Sequence, residues 1–282
     1  QKTGVVLLNT NEFIESPRPT ANILRYIGGV AVREAKPLSK ELSAVLDKRS
    51  QNVLFSFGSI APAKKMPAWL KKDIISAFES FPNTTFIWKY EDDSDENALS
   101  NHPNIYTMKW VPQIDLLGDK RLSLFVTHAG MNSVLEATQY GKPMVAVPLF
   151  ADQFRNAINL QRRGVAVMIS KPDLNKDTLT AALHKCLSDS TIAEKAAKVA
   201  KYLSGRPAEA RAETSRWVRL AVEGPLDQLI LQSRNMSLTQ YHNIDVFAYL
   251  AAQMVFLLYI VFRVGRFFGR KIVVAIGKQK DE

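Results

Sequence analysis

Residues 121–157 read RLSLFVTHAGMNSVLEATQYGKPMVAVPLFADQFRNA. An apolar run from Arg121 to His128 stops at Ala129-Gly130, and from Met131 to Tyr140 apolar side chains recur at helical spacing. Gly141 follows where a left-handed C-terminal cap is expected, PMVAVPL (143–149) reads as a second buried strand, and a helix is predicted over 152–163 with Gly164 after it. Strands joined through helices rather than tight turns must run parallel, because only a crossover can bring the chain back to start a strand in the same direction. The alternation extends both ways, with strands predicted at 52–57, 84–90, 104–110 and 165–170 and helices at 67–80 and 113–118. Several strands are almost continuously apolar, as strands covered on both faces must be. The prediction is an α/β fold, one doubly wound parallel sheet of six βα units within residues 41–225. After Ser170, helices at 176–188, 191–203 and 208–222, the last anchored by Trp217, are expected to flank it. Residues 1–40 read as a linker carrying one strand that belongs elsewhere, ending near Gly28 and Gly29.

The chain has 282 residues, 46% hydrophobic and 23% charged, which excludes a disordered, collagenous or disulfide-built protein. Its single cysteine, Cys186, falls in the apolar-periodic segment 176–188 and is expected as a small buried side chain. The formal charge is +10, but six basic and two acidic residues lie in the last twenty positions, so much of the excess is a tail property. No basic stripe interleaved with aromatics occurs, and no nucleic-acid partner is predicted. VFAYLAAQMVFLLYIVF (246–262) is uncharged over seventeen residues, which reaches the lower end of a bilayer span, and Arg263 is placed to snorkel. The expectation is a juxtamembrane segment at 226–245, a transmembrane helix at 246–262 and a basic cytosolic tail at 263–282, with the preceding residues lumenal or external by the positive-inside rule. Asn83-Thr-Thr and Asn235-Met-Ser are glycosylation acceptor patterns on that side. Lys278 and Lys280 in KQKDE resemble a dilysine retrieval signal of the endoplasmic reticulum.

In an open parallel sheet ligands bind beyond the carboxyl ends of the strands. Here those positions are polar: Gly58-Ser59, then Trp110 with Gln113, then His128 through Ser133, then Asp152-Gln153. At THAGMNS a strand opens into a helix whose first amides lack internal partners and favour an anion; Gly130 permits close backbone approach, and Asn132 and Ser133 offer donors. Glu136, one turn deeper, can accept two ribose hydroxyls. Trp110 can stack on a base, or be core; Gln113 can pair with a pyrimidine edge. His128 either donates to a phosphate or satisfies backbone groups at its strand end. Asp152 and Gln153 can bind sugar hydroxyls, or Asp152 can cap its helix. EDDSDEN (91–97) contains Asp93-Ser-Asp95, a short acidic pattern of a kind that can hold a metal ion, but it reads as a solvated loop, and no metal is predicted.

The run FVTHAGMNSVLEATQYGKPMVAVPLFADQFRNA, with FSFGS (55–59) and WVPQ (110–113) upstream, resembles the donor-binding signature of the UDP-glycosyltransferase family, most of all the animal UDP-glucuronosyltransferases. The likeness runs over nearly the whole chain. It implies the C-terminal half of a GT-B fold built from two Rossmann-like halves, with residues 1–40 as the last strand of the acceptor half and the linker. It implies transfer of a hexosyl group, glucuronate favoured over glucose, from a UDP-sugar to small lipophilic acceptors without a bound cofactor. By motif, Trp110 and Gln113 would hold uracil, Glu136 the ribose, Ser59, His128, Asn132 and Ser133 the diphosphate, and Asp152 with Gln153 the sugar; Asn156 stands where the family also has Asn and is counted among the donor-binding residues. Arg155 departs from the acid usual in vertebrate members and bears on sugar preference. The family's catalytic histidine lies in the acceptor half, so no catalytic residue is assigned here; His102 and His242 are expected at the surface or an interface, and His184 on a helix. The expected chain is thus a single-pass membrane protein of the endoplasmic reticulum, inactive alone and able to form homo- or hetero-oligomers. A non-catalytic membrane-bound UDP-sugar-binding or partner-binding form, and a UDP-glucosyltransferase, are the alternatives.

Overall fold

Residues 4–91, 101–224 and 226–280 are described by a computed structural model, in which the chain divides into two units, Gln1–Leu226 and Asp227–Glu282. Asp93 and Asp95 lie outside the described residues.

The first unit is built on six parallel strands: β3 (Gln51–Ser56), β4 (Thr84–Lys89), β5 (Ile105–Met108), β6 (Leu122–Thr127), β7 (Met144–Ala146) and β8 (Ala166–Met168). All six predicted strands are present. They lie in the order β5-β4-β3-β6-β7-β8, so the chain winds outward from β3 in one direction, returns, and winds outward from β6 in the other. This is the doubly wound order of Rossmann-type sheets, with its switch point between β3 and β6. The two strands pair through Ser56 and Thr127, which brings their carboxyl ends level.

Side-chain alternation explains why both faces are covered. Val53, Phe55, Phe86, Trp88, Leu124 and Val126 enter one apolar cluster, whereas Leu54, Ile87 and Phe125 enter the other. The first cluster is closed by α2 (Ala68–Glu79) and α6 (Lys176–Ser188), through Ile74, Phe78, Leu179 and Leu183. The second is closed by α1 (Lys40–Leu46), α3 (Gln113–Gly118), α4 (Met131–Gln139) and α5 (Gln153–Arg162), through Leu46, Leu117, Val134 and Leu160. Cys186 is buried on α6 with its thiol against the Met144 carbonyl, and burial pushes that thiol up to about 11. Gly141 and Gly164 take positive φ after α4 and α5, in the C-terminal cap positions. Helices α7 (Ser190–Tyr202) and α8 (Arg206–Glu223) follow. Trp217 on α8 is buried under the Arg25 guanidinium, 4.3 Å from its ring centroid.

Two features depart from the sequence reading. The opening segment holds two strands rather than one, β1 (Val6–Leu8) and β2 (Leu24–Tyr26), paired in parallel as a separate small sheet. Both are three residues long and half-buried, too short to show a period. Helix α1 was not anticipated either; the Ser39 hydroxyl caps it by accepting from the Leu42 amide.

In the second unit, α9 (Leu238–Tyr241) precedes α10 (Ile244–Lys280), of which Ile244–Arg270 is long and apolar enough to cross a bilayer. Its few polar groups answer one another: the Gln253 amide donates to the Tyr249 hydroxyl at 2.7 Å, and the Arg263 guanidinium to the Tyr259 hydroxyl at 2.9 Å. Both pairs span one helical turn, an arrangement that lowers the cost of polar atoms in an apolar environment.

Candidate functional site

A cavity of about 500 Å³ opens beyond the carboxyl ends of β3, β4, β5 and β6, over the switch point. Its walls are Ser56, Gly58, Ser59 and Ile60 after β3; Lys89 on β4; Trp110 through Ile114 after β5; His128, Asn132, Ser133 and Glu136 after β6; and Arg33 from the opening segment. Trp110 and Glu136 therefore face one space. The indole is 72% exposed, which excludes a core role for it. An aromatic face left in solvent at a cavity rim is the form that base stacking requires.

The strand-to-helix turn at 128–131 is shaped by crowding around one imidazole. A Cβ on Gly130 would fall 2.4 Å from His128 Nε2, and one on Gly58, at φ +78°, would fall 2.8 Å from its Cε1. Both glycines are therefore needed for the ring to sit between them. Ala129 adopts φ 60°, a costly conformation for an alanine, and completes the turn. Burial holds the imidazole below its usual pKa against the pull of Asp152, so it is neutral at neutral pH, and its Nδ1 is buried without a partner among the described residues. Gly130 gives α4 no side-chain cap, so the amides of its first turn remain available. Asn132 accepts from the Asn9 amide at 2.8 Å through its Oδ1, which leaves its own amide as donor.

Glu136 lies on the inner face of α4. Gln113 Nε2 donates to its Oε2 at 2.6 Å and to Ser133 Oγ at 3.2 Å. Burial pushes the Glu136 carboxyl upward, opposed by the Gln113 hydrogen bond and the positive Arg33. The result is a partly desolvated acceptor beside two donors, suited to a diol.

Asp152, Gln153 and Asn156 do not line this cavity. Gln153 Oε1 accepts from the amides of Leu149 (2.8 Å) and Phe150 (3.1 Å), holding the turn before α5. Asn156 Nδ2 donates to the Ala129 carbonyl at 3.0 Å and to Asp152 Oδ2 at 2.8 Å. Asp152 makes no side-chain cap to α5; its carboxylate is turned to Asn156 and acts on His128 through charge. Arg155 pairs with Glu15 of the opening segment. His102 meets Glu79 at 2.9 Å, and His184 and His242 are exposed.

Sequence reasoning missed Arg33 and Lys89. Lys89 is buried at the end of β4, where its ammonium donates to the Gly58 carbonyl at 3.1 Å, pairs with Glu91 and lies 6.0 Å from the Trp110 ring centroid. Its signal was legible, as a lone charge closing the apolar strand TTFIWK. Arg33 carried none, because it reaches the cavity from a connecting segment without periodic structure.

The family model described as UDP-glucoronosyl and UDP-glucosyl transferase matches residues 1–279. The chain belongs to this glycosyltransferase family. Similar curated proteins include UDP-glucuronosyltransferase 3A1 of Xenopus laevis, 30% identical over 96% of this chain and 52% of that protein, and UDP-glucuronosyltransferase 2B15 of Homo sapiens, 30% identical over 100% and 52%. The chain thus spans about half the length of the curated relatives it matches. Among solved structures, the glycotransferase of kitacinnamycin superposes with a TM-score of 0.64 at 23% identity, over 77% of this chain and 54% of that one. UDP-glucose: anthocyanidin 3-O-glucosyltransferase, solved in complex with UDP, superposes at 0.60 with 21% identity, over 74% and 52%. These likenesses give the sheet its place among GT-B glycosyltransferase folds.

Proposed function

We propose that this chain is the donor-binding half and membrane anchor of a UDP-glucuronosyltransferase. The observation that carries the reading is that an exposed indole, a diol-accepting carboxylate and an uncapped helix N-terminus meet in one cavity at the switch point. Uracil stacks on Trp110, the ribose hydroxyls bond to Glu136, and the diphosphate lies against Ser59, Asn132, Ser133 and the first amides of α4, where aligned peptide dipoles favour negative charge by about 0.3 to 1 kcal/mol, up to about 2 when partly buried. Neutral His128 adds a donor to the diphosphate. On the sugar side, a rotation of Asp152 away from Asn156 frees a carboxylate for sugar hydroxyls, while buried Gln153 and Asn156 hold the turns around it. Glucuronate is the favoured donor, supported by the names of the 30%-identical relatives; a small lipophilic acceptor and the base that activates it come from the part of those relatives that this chain does not match. The second unit anchors the protein, with the first unit in the lumen of the endoplasmic reticulum and the basic end in the cytosol.

Calorimetric titration of UDP into the full chain in detergent micelles tests the site. Trp110→Ala should weaken binding by about 1 to 3 kcal/mol, the worth of one base–aromatic stack, and leave thermal stability unchanged because the ring is exposed. Unaltered affinity would remove the assignment. A donor screen on the whole enzyme in microsomes tests the sugar; preference for UDP-glucose would overturn glucuronate and leave the fold as it stands.

A further inference from the structure

The wall of the cavity beside Glu136 is not part of the sheet. It is Arg33, carried by the segment that joins β2 to α1. That segment is strapped down at residues 33–36. The Arg33 guanidinium grips Asp115 with both nitrogens, at 2.5 and 2.9 Å, and the Lys36 amide donates to the same carboxylate at 2.7 Å. From the other side, the Tyr140 hydroxyl at the end of α4 donates to the Arg33 carbonyl at 2.8 Å.

Every anchor of the strap is fixed to an element that also carries a site residue. Asp115 lies two residues after Gln113 on α3, and Gln113 donates to Glu136; Tyr140 lies one turn after Glu136 on α4. The Asp115 side chain is only 12% exposed, so its charge is held where two donors already satisfy it, while the Arg33 side chain, which lines the cavity, remains 44% exposed. A planar guanidinium fixed by a bidentate carboxylate keeps its orientation in a way a lysine ammonium does not. Its positive charge favours the carboxylate form of Glu136.

We propose that residues 33–36 form a strap that belongs to the nucleotide site, with Arg33 as a positioning residue acting through Asp115 and Glu136, so that donor binding and the seating of the connecting segment reinforce each other. This rests on the donor-site reading above. By linkage, if a bound nucleotide favours the seated strap, the seated strap raises nucleotide affinity by the same factor. The connecting segment thereby couples donor occupancy to the paired β1–β2 sheet that precedes it.

Amide hydrogen exchange on the full chain in micelles, with and without saturating UDP, tests this without any substitution. The Lys36 amide should exchange at least about fivefold more slowly with UDP bound, the lower end of typical coupling between sites. Asp115→Asn, which loosens the strap and keeps the Arg33 charge, should raise the UDP dissociation constant by a similar factor, and Arg33→Lys should restore only part of what Arg33→Ala loses. UDP that binds with unchanged Lys36 exchange, or binds Asp115→Asn as tightly as the unaltered chain, overturns the strap alone. Failure of UDP to bind the unaltered chain overturns the site reading and the strap together.

Discussion

Glu136 sits where two demands conflict. To accept ribose hydroxyls it must be ionised, and burial opposes ionisation. Because its folded pKa is raised above the usual 4.5, the native state binds this proton more tightly than the unfolded chain, so the ionised carboxylate costs stability above that pKa and the cost disappears as pH falls through it. Two expectations follow for the same residue. Affinity for UDP-glucose, whose own charge is constant in the mildly acidic range, should decline on acidification at a pH above that of an ordinary glutamate, measured by calorimetry over a pH series. Glu136→Gln should abolish that pH dependence and weaken binding, while the melting temperature at neutral pH stays level or rises. A melting temperature that falls sharply would mean that the carboxylate holds the fold rather than the ligand. The residue's candidacy was legible in the sequence from its spacing after Ser133. That Gln113 is its hydrogen-bond partner was not, because the two are twenty-three positions apart and meet only through the packing of α3 beside α4.

At the scale of elements, the strand–turn–helix unit from β6 to α4 sets the geometry. Its turn works because His128 is clamped between Gly58 and Gly130. Gly130 has φ −62°, a backbone that alanine adopts freely, so Gly130→Ala tests the clamp without backbone strain. The added methyl must displace the imidazole, whose Nε2 and Cε1 edge also lies close to Gly58; overpacking of this kind costs about 1 to 3 kcal/mol. Thermal unfolding should register that loss and UDP affinity should fall with it; an alanine variant with unaltered stability and affinity would show that the ring moves freely. The six strands were legible because central parallel strands are long apolar runs and the turns after them are polar. The paired β1 and β2, and α1, were not: three residues show no period, and a seven-residue helix depends on a single serine cap. Asp152 shows the limit from the other direction. An aspartate at the start of a helix is a strong capping signal, yet here its carboxylate is turned to Asn156, four residues on, a choice made by the packing of α5 against the Ala129 turn.

At the scale of the molecule, one unit carries the cavity and the other a helix of bilayer-spanning length, of which Val246 to Phe268 shows its large apolar side chains to the surroundings. Such a surface in water is an aggregation hazard, and it is compatible with the single-pass membrane anchor proposed above. Alkaline carbonate washing of membranes from cells expressing the protein should leave it in the pellet; release into the supernatant would contradict membrane spanning. The apolar run itself was plain in the sequence, but the extent of the helix that carries it was not, since α10 continues past the first basic residues to Lys280. In the other unit, one nucleotide is proposed to bridge Trp110, Glu136 and the N-terminus of α4. A structure of the chain with UDP tests it most directly. Uracil should lie on the Trp110 ring, both ribose hydroxyls at Glu136 and the diphosphate against the amides of residues 131–133. UDP seated elsewhere, for example in the groove of about 440 Å³ beside β8 lined by Val167, Met168 and Lys185, with Trp110 and Glu136 untouched, would contradict it.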